Sequence, residues 1–292
     1  ISPNFTRTHR KNQHQRFSKL AERFHHQQNS SARAFALARL FGCAASGRPI
    51  IGGGAGVGIS SKFQAKAGID LIIIYNSGVL RMNGFGSLGG LLPFTDANQV
   101  VLDMSETIFS SIDSIDQQTP VLAGVCGVDP TRRMPRLLAK LKKRGFSGVQ
   151  NFPTVGLIDG QFRIALEETG FSFSKEVDMI RTAHQLDLLT TPYTFDESST
   201  AEMIRAGADI IVCHMGCTTS GSIGVQTSMS LEQAIEKVQR MADLAQQLNP
   251  DCLVLAHGGP IALPHQCERL FESVSNIHGF YGASSIERLP VE

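Results

Sequence analysis

Two histidines at the ends of apolar, β-branched stretches are the residues best placed to do chemistry. His214 follows residues 210–213 and His257 follows residues 253–256, and a glycine comes within two positions of each. A neutral imidazole can act as a general base or bind a divalent metal. Single strand histidines are often hydrogen-bonded core residues, but two at equivalent positions favour a functional role. We therefore predict that both take part in catalysis, each as base or ligand.

Carboxylates that could join the histidines follow other stretches. Asp129 comes after the stretch at 121–125, and Glu168 lies in the long connection after the stretch at 148–152. Either could be the acid or a second ligand, and a site with oxygen and nitrogen ligands would suit a divalent metal such as Mg or Zn. Spacing does not choose among the metal-ligand candidates His214, His257 and Glu168. The predicted catalytic residues are His257, His214, Glu168, Asp129, Tyr193 and Asn151.

Glycine, serine and asparagine are concentrated after the same stretches, where their amides and side chains would face a ligand. Loops of this kind bind phosphate or carboxylate groups at the mouths of barrels. The loop at 52–58 lacks the glycine spacing of a dinucleotide-binding fingerprint, so we expect neither nicotinamide nor flavin. The predicted contacts to a small anionic substrate are Gly54, Gly56, Asn76, Gly258, Gly259, Gly282, Ser284 and Ser285.

Eight apolar stretches alternate with helical patterns along residues 49–282, and these elements must position the polar groups. Their continuous apolar character indicates burial on both faces, as in a parallel sheet covered by helices. Helix stops recur directly before a stretch, as at residues 143–145 and 206–207. The pattern predicts an α/β fold, a (β/α)8 TIM barrel over residues 32–292 with a preceding N-terminal helix at 32–45. A doubly wound open sheet is the alternative, and we expect the closing helix to be truncated.

The 292-residue chain carries a net charge of +1 that is unevenly distributed. Residues 1–48 hold nine Lys or Arg and one acid, whereas the rest holds 18 basic and 25 acidic residues. The polar residues 1–31 predict a disordered basic arm. We expect a cytoplasmic protein, or an organellar one if the arm is a transit peptide. The acidic body predicts no nucleic-acid partner, and the absence of a long apolar run predicts no membrane span.

Seven strings of sequence follow the order of one known family. They occupy residues 48–56, 70–78, 121–127, 148–160, 166–170, 257–261 and 278–292. In these strings the sequence resembles the phosphoenolpyruvate hydrolase-like family of TIM-barrel proteins, also called TIM-barrel signal-transduction proteins. It is also similar to the C-terminal half of plant tobamovirus-resistance proteins. The resemblance covers about residues 32–292.

The resemblance implies a barrel similar to the phosphoenolpyruvate mutase and isocitrate lyase superfamily, whose members use a divalent metal to stabilise the enolate of a 2-oxo acid. The chain lacks that superfamily's paired-acid magnesium motif and its Lys-Lys-Cys-Gly-His loop. We predict a hydrolase or lyase of a small phosphorylated or 2-oxo acid, similar to phosphoenolpyruvate or phosphonopyruvate, bound at the C-terminal mouth. The alternative is a non-catalytic binding or signalling barrel that acts through protein partners. Uncovered apolar barrel surface predicts a homo-oligomer.

Overall fold

The eight apolar stretches form nine short strands, because the fifth stretch is interrupted at Thr191 and Pro192. The computed structural model describes residues 3–113, 115 and 118–287, and it describes side chains in the first helix from Asn12 onward. The strands are β1 (Ile50–Gly54), β2 (Leu71–Ile74), β3 (Val121–Gly124), β4 (Gly148–Gln150), β5 (Leu189–Thr190), β6 (Tyr193–Thr194), β7 (Ile210–His214), β8 (Leu253–His257) and β9 (Gly279–Gly282).

The strands form one parallel sheet that closes on itself. Their order is β5-β4-β3-β2-β1-β9-β8-β7-β6. The two ends of this order, β5 and β6, follow each other in the chain with two residues between them. They share one strand position of the barrel, since β5 pairs with β4 and β6 pairs with β7. The predicted (β/α)8 barrel is confirmed, and the open doubly wound sheet is not formed.

Burial of the strands follows from their composition. Every residue of β2, β3, β7 and β8 is buried. Helices cover the outer face of a closed parallel sheet and side chains fill its interior, so both faces of each strand need apolar residues. The polar residues that end the strands are therefore the ones that reach the mouth of the barrel.

The helices begin and end at residues that satisfy free backbone groups. The Ser230 side chain accepts a hydrogen bond from the Gln233 amide at the start of one helix, and Gly145 and Gly207 follow two predicted helix ends with positive φ. Two 3-10 helices span Ser87–Leu91 and Val155–Leu157. The α-helices of the described ranges are α1 (Pro3–Gln27), α2 (Ala32–Ser46), α3 (Gly58–Lys66), α4 (Asn76–Met82), α5 (Ala97–Asp113), α6 (Met134–Lys143), α7 (Gly160–Glu168), α8 (Phe173–Gln185), α9 (Glu197–Arg205), α10 (Leu231–Leu248), α11 (Pro264–Ser273) and α12 (Ser284–Glu287).

The prediction of a disordered arm over residues 1–31 is wrong for the part that the structure describes, since α1 occupies most of it. Phe17 is 1% exposed. Its ring stacks on Phe41 of α2 at 5.7 Å and meets the His278 ring edge-on at 4.9 Å. Phe24, seven residues further along, also stacks on Phe41. A sparse apolar face can hold a helix when a partner surface buries it, and composition alone does not reveal that surface.

The chain after β9 forms the short helix α12. Residues 288–292 lie outside the described residues, so the predicted truncation of the closing helix stays a prediction. Within the described ranges, no helix combines the length and the apolar character that crossing a membrane requires.

Candidate functional site

A cavity of about 200 Å³ lies at the carboxyl ends of the strands, beneath two loops. The first, residues 83–96 after α4, is called the lid loop here. The second loop, residues 215–229 after β7, contacts the lid loop at Gly86. A Cβ built on Gly86 would lie 3.5 Å from the carbonyl oxygen of Ile223. Such a cavity is too small for a dinucleotide and suits a small organic acid.

His214 and His257 stand side by side in the wall of this cavity. They end the adjacent strands β7 and β8 and are direct register partners. Their ring centroids are 4.8 Å apart, and Tyr193 at the start of β6 lies 4.7 Å from one ring and 4.9 Å from the other. Adjacent parallel strands that both end in histidine necessarily place the two rings together on one face. The structure thus brings together three of the predicted catalytic residues.

Hydrogen bonds assign opposite tautomers to the two histidines. Nδ1 of His257 lies 2.7 Å from the carbonyl oxygen of Tyr281. A carbonyl only accepts, so His257 carries its proton on Nδ1 and keeps a lone pair on Nε2. Nδ1 of His214 accepts from the amide of Gly216 at 3.1 Å, so the neutral ring carries its proton on Nε2. The pair offers one acceptor and one donor.

Burial keeps both rings neutral. Burial, with a smaller contribution from the nearby charge of Arg81, lowers the pKa of His257 to about 4, against the hydrogen bond to Tyr281. Burial is also the largest cause that lowers the pKa of His214 well below its ordinary value, followed by repulsion from His257 and Lys237. Near neutral pH, His257 is therefore an unprotonated base and His214 an uncharged donor.

Three tyrosines lie in or near the cavity wall. Tyr75 and Tyr193 both line the cavity, and the guanidinium of Arg81 lies over the Tyr75 ring. The Tyr281 ring lies 5.5 Å from that of His257, and its hydroxyl oxygen is buried with no hydrogen-bond partner. Burial raises the pKa of all three phenols. Each phenol thus remains a neutral hydroxyl that can donate a hydrogen bond.

Arg81 and Glu287 form a buried ion pair at the other side of the cavity. Nε of Arg81 donates to Oε2 of Glu287, and the two side chains are 1% and 0% exposed. Nη1 donates to the Ser87 hydroxyl of the lid loop at 3.2 Å, and the guanidinium lies over the Tyr75 ring. Burial raises the pKa of Glu287, and the charge of Arg81 opposes this. The pair fixes a cation in the cavity wall.

Several buried donors around Arg81 lack a partner. Nη2 of Arg81 and the hydroxyl oxygens of Ser77 and Ser284 have no hydrogen bond, and all three residues line the cavity. A Cβ built on Gly54 would lie 3.2 Å from Nη2, so a glycine there leaves room for the guanidinium. Unsatisfied buried donors are costly. Their convergence indicates a place for an acceptor such as a carboxylate.

The other predicted anion contacts mainly shape the loops. The Asn76 side chain donates to the carbonyl of Gly90 at 2.9 Å and so holds the lid loop. A Cβ on Gly56 would lie 2.0 Å from the Gly78 carbonyl oxygen, and one on Gly258 would lie 2.2 Å from the Gly216 oxygen. These glycines permit close approach of loops. Ser284 alone of the predicted anion contacts lines the cavity; the lining does not include Gly54, Gly56, Asn76, Gly258, Gly259, Gly282 or Ser285.

The predicted carboxylates do not reach the cavity. Glu168 is exposed at the end of α7. Asp129 accepts hydrogen bonds from the Asn98 side chain of α5 at 2.9 Å and from the Thr131 amide of its own loop at 2.8 Å. These bonds lower its pKa, against its partial burial. Neither residue lines the cavity, because the connections after β3 and β4 turn their carboxylates away from the mouth.

Asn151 is buried, and its contacts bridge the interrupted strand. Its Oδ1 accepts from the Tyr193 amide at 2.7 Å, and its Nδ2 donates to Oε2 of Glu176 at 2.6 Å. Glu176 also accepts from the Thr154 hydroxyl and the Val155 amide. Burial raises the pKa of Glu176 to about 7, against these bonds. Asn151 therefore positions the Tyr193 backbone and does not face the cavity.

Sequence analysis missed Arg81, Ser77, Glu287 and Glu176. Arg81 and Glu287 are separated by 206 residues, so spacing could not pair them. One signal was present: Ser77 and Arg81 are four residues apart directly after a strand, which places both on one face of a helix that starts at the mouth. Glu176 lies within an amphipathic helix, where a glutamate is usually exposed.

The groups that face the cavity do not fit a divalent metal. A ligating histidine must offer a lone pair, and His214 carries its proton on Nε2, so only His257 does so. Among the described residues that line the cavity, the charged side chain is that of Arg81, a cation, which cannot bind a metal ion. Within the described residues, no group of three or more His, Cys, Asp or Glu could hold a metal. The predicted set of His214, His257 and Glu168 is not assembled.

Known proteins are similar to this chain in sequence and in fold. The profile of the phosphoenolpyruvate hydrolase-like family matches residues 36–292. The chain is 56% identical over 246 residues to the ToMV susceptible protein tm-1(GCR26) of Solanum lycopersicum, and 55% identical to the ToMV resistance protein Tm-1(GCR237) of the same plant. Each match covers 84% of this chain and 32% of the relative. The chain thus spans about a third of the length of these curated relatives.

Solved structures of similar fold have low sequence identity. Oxaloacetate acetylhydrolase gives a TM-score of 0.53 at 15% identity, over 81% of this chain and 76% of that one. A 2,3-dimethylmalate lyase, described as a member of the PEP mutase/isocitrate lyase superfamily, gives 0.50 at 18% identity, over 80% and 75%. These similarities concern the fold.

Proposed function

Since the chain belongs to the phosphoenolpyruvate hydrolase-like family, we propose that it is an enzyme, a hydrolase or lyase that performs acid–base chemistry on a small 2-oxo acid. The observation that carries this proposal is the pair of buried, neutral histidines with opposite tautomers in the cavity wall. The oxaloacetate acetylhydrolase and the 2,3-dimethylmalate lyase, which share the fold and are named for small carboxylic acids, also support such an acid as substrate.

In the proposed mechanism His257 is the base. Its Nε2 lone pair takes a proton from the carbon next to the substrate carbonyl, or from the hydroxyl of a 2-hydroxy acid when a C–C bond breaks. In the first case the C–H electron pair moves toward the carbonyl, and negative charge develops on the carbonyl oxygen. The Nε2–H of His214 donates a hydrogen bond to that oxygen. A fixed donor in a dry site stabilises such charge without reorganising solvent. In the second case the O–H electron pair forms the new carbonyl, the C–C pair leaves with the departing fragment, and that fragment takes up the proton held by His257.

Arg81 would hold the substrate carboxylate. Its free Nη2, together with the hydroxyls of Ser77 and Ser284, offers three donors to one acceptor group. Glu287 fixes the guanidinium through Nε, so the side chain loses little further freedom when the substrate binds. A held carboxylate would keep the neighbouring carbonyl near the histidine pair.

The proposal is tested by exchange of substrate C–H with solvent deuterium and by product release, for a panel of 2-oxo acids, 2-hydroxy acids and phosphoenolpyruvate. We expect wild type to act on at least one of them and His257→Asn to lose at least about a hundredfold in kcat/KM. His265→Asn, an exposed histidine on α11, is the matched control and should keep full activity. Unchanged kcat/KM in His257→Asn would refute the assignment of the base.

The exposed lid loop favours a second function, binding of a protein partner. Phe85 and Phe94 of this loop are 62% and 68% exposed, and exposed aromatic residues of this size mark interaction surfaces. A second copy of the chain is the partner proposed here, in line with the expected homo-oligomer. Light scattering should then give a mass above one chain for wild type and a lower mass for Phe94→Ser. A monomeric wild type would contradict the proposal.

A further inference from the structure

The cavity has chemically different walls on opposite sides of the barrel. Ser77 and Arg81 follow β2, and Ser284 follows β9. In the sheet, β2 and β9 flank β1, so the free donors belong to one sector of three adjacent strands. This sector carries the charged side chain of the described lining and the two serine hydroxyls that lack a partner.

The opposite sector is mainly apolar, although Tyr193 of β6 and Cys217 and Thr218 after β7 also line the cavity there. Phe152 and Leu157 follow β4, and Ile223 and Val225 follow β7. β4 and β7 flank the shared position of β5 and β6, which lies half a turn around the barrel from β1. His257 ends β8, which lies between the two sectors, and its register partner His214 ends β7 at the adjoining edge of the apolar sector. A ligand that spans the cavity therefore meets donors at one end, the histidine pair in the middle and apolar side chains at the other end.

The charges of the site balance without a ligand. Arg81 is compensated by Glu287, and both histidines are neutral near pH 7 because burial lowers each pKa. A bound monocarboxylate adds one net negative charge, which lies next to the free Nη2 of Arg81. A phosphate dianion or a dicarboxylate would add a second buried negative charge, and the described lining offers no second cation beside which it could lie.

From this arrangement we infer that the substrate class is a 2-oxo monocarboxylate with an apolar substituent about the size of a leucine side chain. The carboxylate lies at Arg81, Ser77 and Ser284. The oxo group lies at the histidine pair, and the substituent packs against Leu157, Ile223 and Val225. This inference rests on the proposed function for its orientation of the oxo group, and it excludes phosphorylated acids as the preferred substrates.

The test is calorimetric titration of the wild-type protein with four probes: 4-methyl-2-oxopentanoate, pyruvate, oxaloacetate and phosphoenolpyruvate. We expect 4-methyl-2-oxopentanoate to bind at least about tenfold more tightly than pyruvate, because the apolar sector buries its extra carbons. It should also bind more tightly than the two more highly charged acids. Equal or tighter binding of pyruvate, oxaloacetate or phosphoenolpyruvate overturns the inference, and so does binding of none of the four.

A variant pair locates the effect. Ile223→Thr replaces an apolar wall residue by a polar one of similar shape, and should reduce the preference for 4-methyl-2-oxopentanoate over pyruvate at least about threefold while pyruvate affinity is kept. Ile164→Thr makes the same change on α7, outside the lining, and should leave the preference unchanged. Thermal melting confirms that both variants are folded. A preference that Ile223→Thr leaves intact overturns the assignment of the apolar wall.

Binding and turnover separate this inference from the proposed function. Tight, selective binding of 4-methyl-2-oxopentanoate without C–H exchange or product would support the substrate class and contradict the enzyme. Histidine-dependent turnover confined to oxaloacetate or phosphoenolpyruvate would support the enzyme and overturn the substrate class.

Discussion

At the scale of single residues, the ion pair of Arg81 and Glu287 is the most constrained feature of the site. A buried pair is costly to form from solvated ions, but removing one partner leaves the other charge uncompensated. The pair here also carries the guanidinium whose Nη2 faces the cavity. Its stability and the proposed substrate contact are therefore linked through one side chain.

Glu287→Gln should lower the free energy of unfolding by roughly 3–5 kcal/mol, because Arg81 is left without its counter-charge. The double variant Arg81→Met with Glu287→Met should recover most of that loss, since it removes both charges. Arg181→Met breaks an exposed pair with Asp178 and should change stability by less than about 1 kcal/mol. Urea unfolding measures all three, and a Glu287→Gln protein as stable as wild type would contradict burial of the pair.

The depressed pKa of His257 predicts a pH dependence of stability. The folded value is about 4, below the ordinary value of 6.5, so the unfolded chain binds more protons between these values. The contribution of His257 is present in full above pH 6.5 and is lost as pH falls toward 4. Relative to His257→Asn, wild type should lose up to about 3 kcal/mol over this range. Urea unfolding at each pH measures this loss. A difference in the free energy of unfolding between the two proteins that stays the same at every pH would refute the lowered pKa of His257.

Residue types alone located part of this site. Strand-end position was enough to single out His214, His257, Tyr193 and Ser284, because the carboxyl ends of parallel strands meet at one mouth. Strand-end position could not show which carboxylates in the long connections reach the mouth, because the direction of such a side chain depends on local turns. Asp129, for example, bonds to the Thr131 amide of its own loop. The tautomers depend on backbone partners that no residue pattern encodes.

At the scale of elements, the turns after β7 and β8 pack closely against each other, and a glycine makes this contact possible. Gly258 has φ of 76°, and its missing Cβ makes room for the Gly216 carbonyl oxygen. The turn after β7 also supplies the Gly216 amide that sets the His214 tautomer. Sequence analysis assigned Gly258 to an anion cradle, because small residues at a barrel mouth fit both roles.

Gly258→Ala should destabilise the protein more than Gly68→Ala. Both glycines have similar positive φ, but a Cβ at Gly68 meets nothing within 4 Å. Gly68→Ala should therefore cost only the backbone strain, about 1–2 kcal/mol. Gly258→Ala adds overlap with a carbonyl oxygen and should also disturb the His214 ring, visible in its NMR signals. Equal losses for the two variants would argue against contact between the turns.

At the scale of the whole molecule, α1 is an integral part of the packing. Phe17 sits between Phe41 of α2 and His278, next to the N-terminal end of β9. Sequence analysis gave the barrel and its eight units correctly because each unit is patterned locally. It missed α1 because that helix depends on a surface built by residues far away in the chain.

Phe17→Ala should lower the free energy of unfolding by roughly 3–5 kcal/mol, as expected for loss of a buried aromatic ring. It should also speed trypsin cleavage at Arg16 and Lys19. Phe162→Ala, at a largely exposed phenylalanine of α7, is the matched control and should change neither property. A stable, protease-resistant Phe17→Ala protein would mean that α1 does not need this contact.

The interrupted strand gives the barrel a seam. β5 and β6 each pair over two residues with their neighbours, whereas β7 and β8 pair over five. Few ladder bonds must break there, so local opening of the closed sheet should start where β5 pairs with β4 or where β6 pairs with β7. Tyr193, whose ring packs on both histidines, lies on that seam. The part of the barrel that should open most readily thus also carries the ring that packs against both histidines, so opening there would remove that contact from the pair.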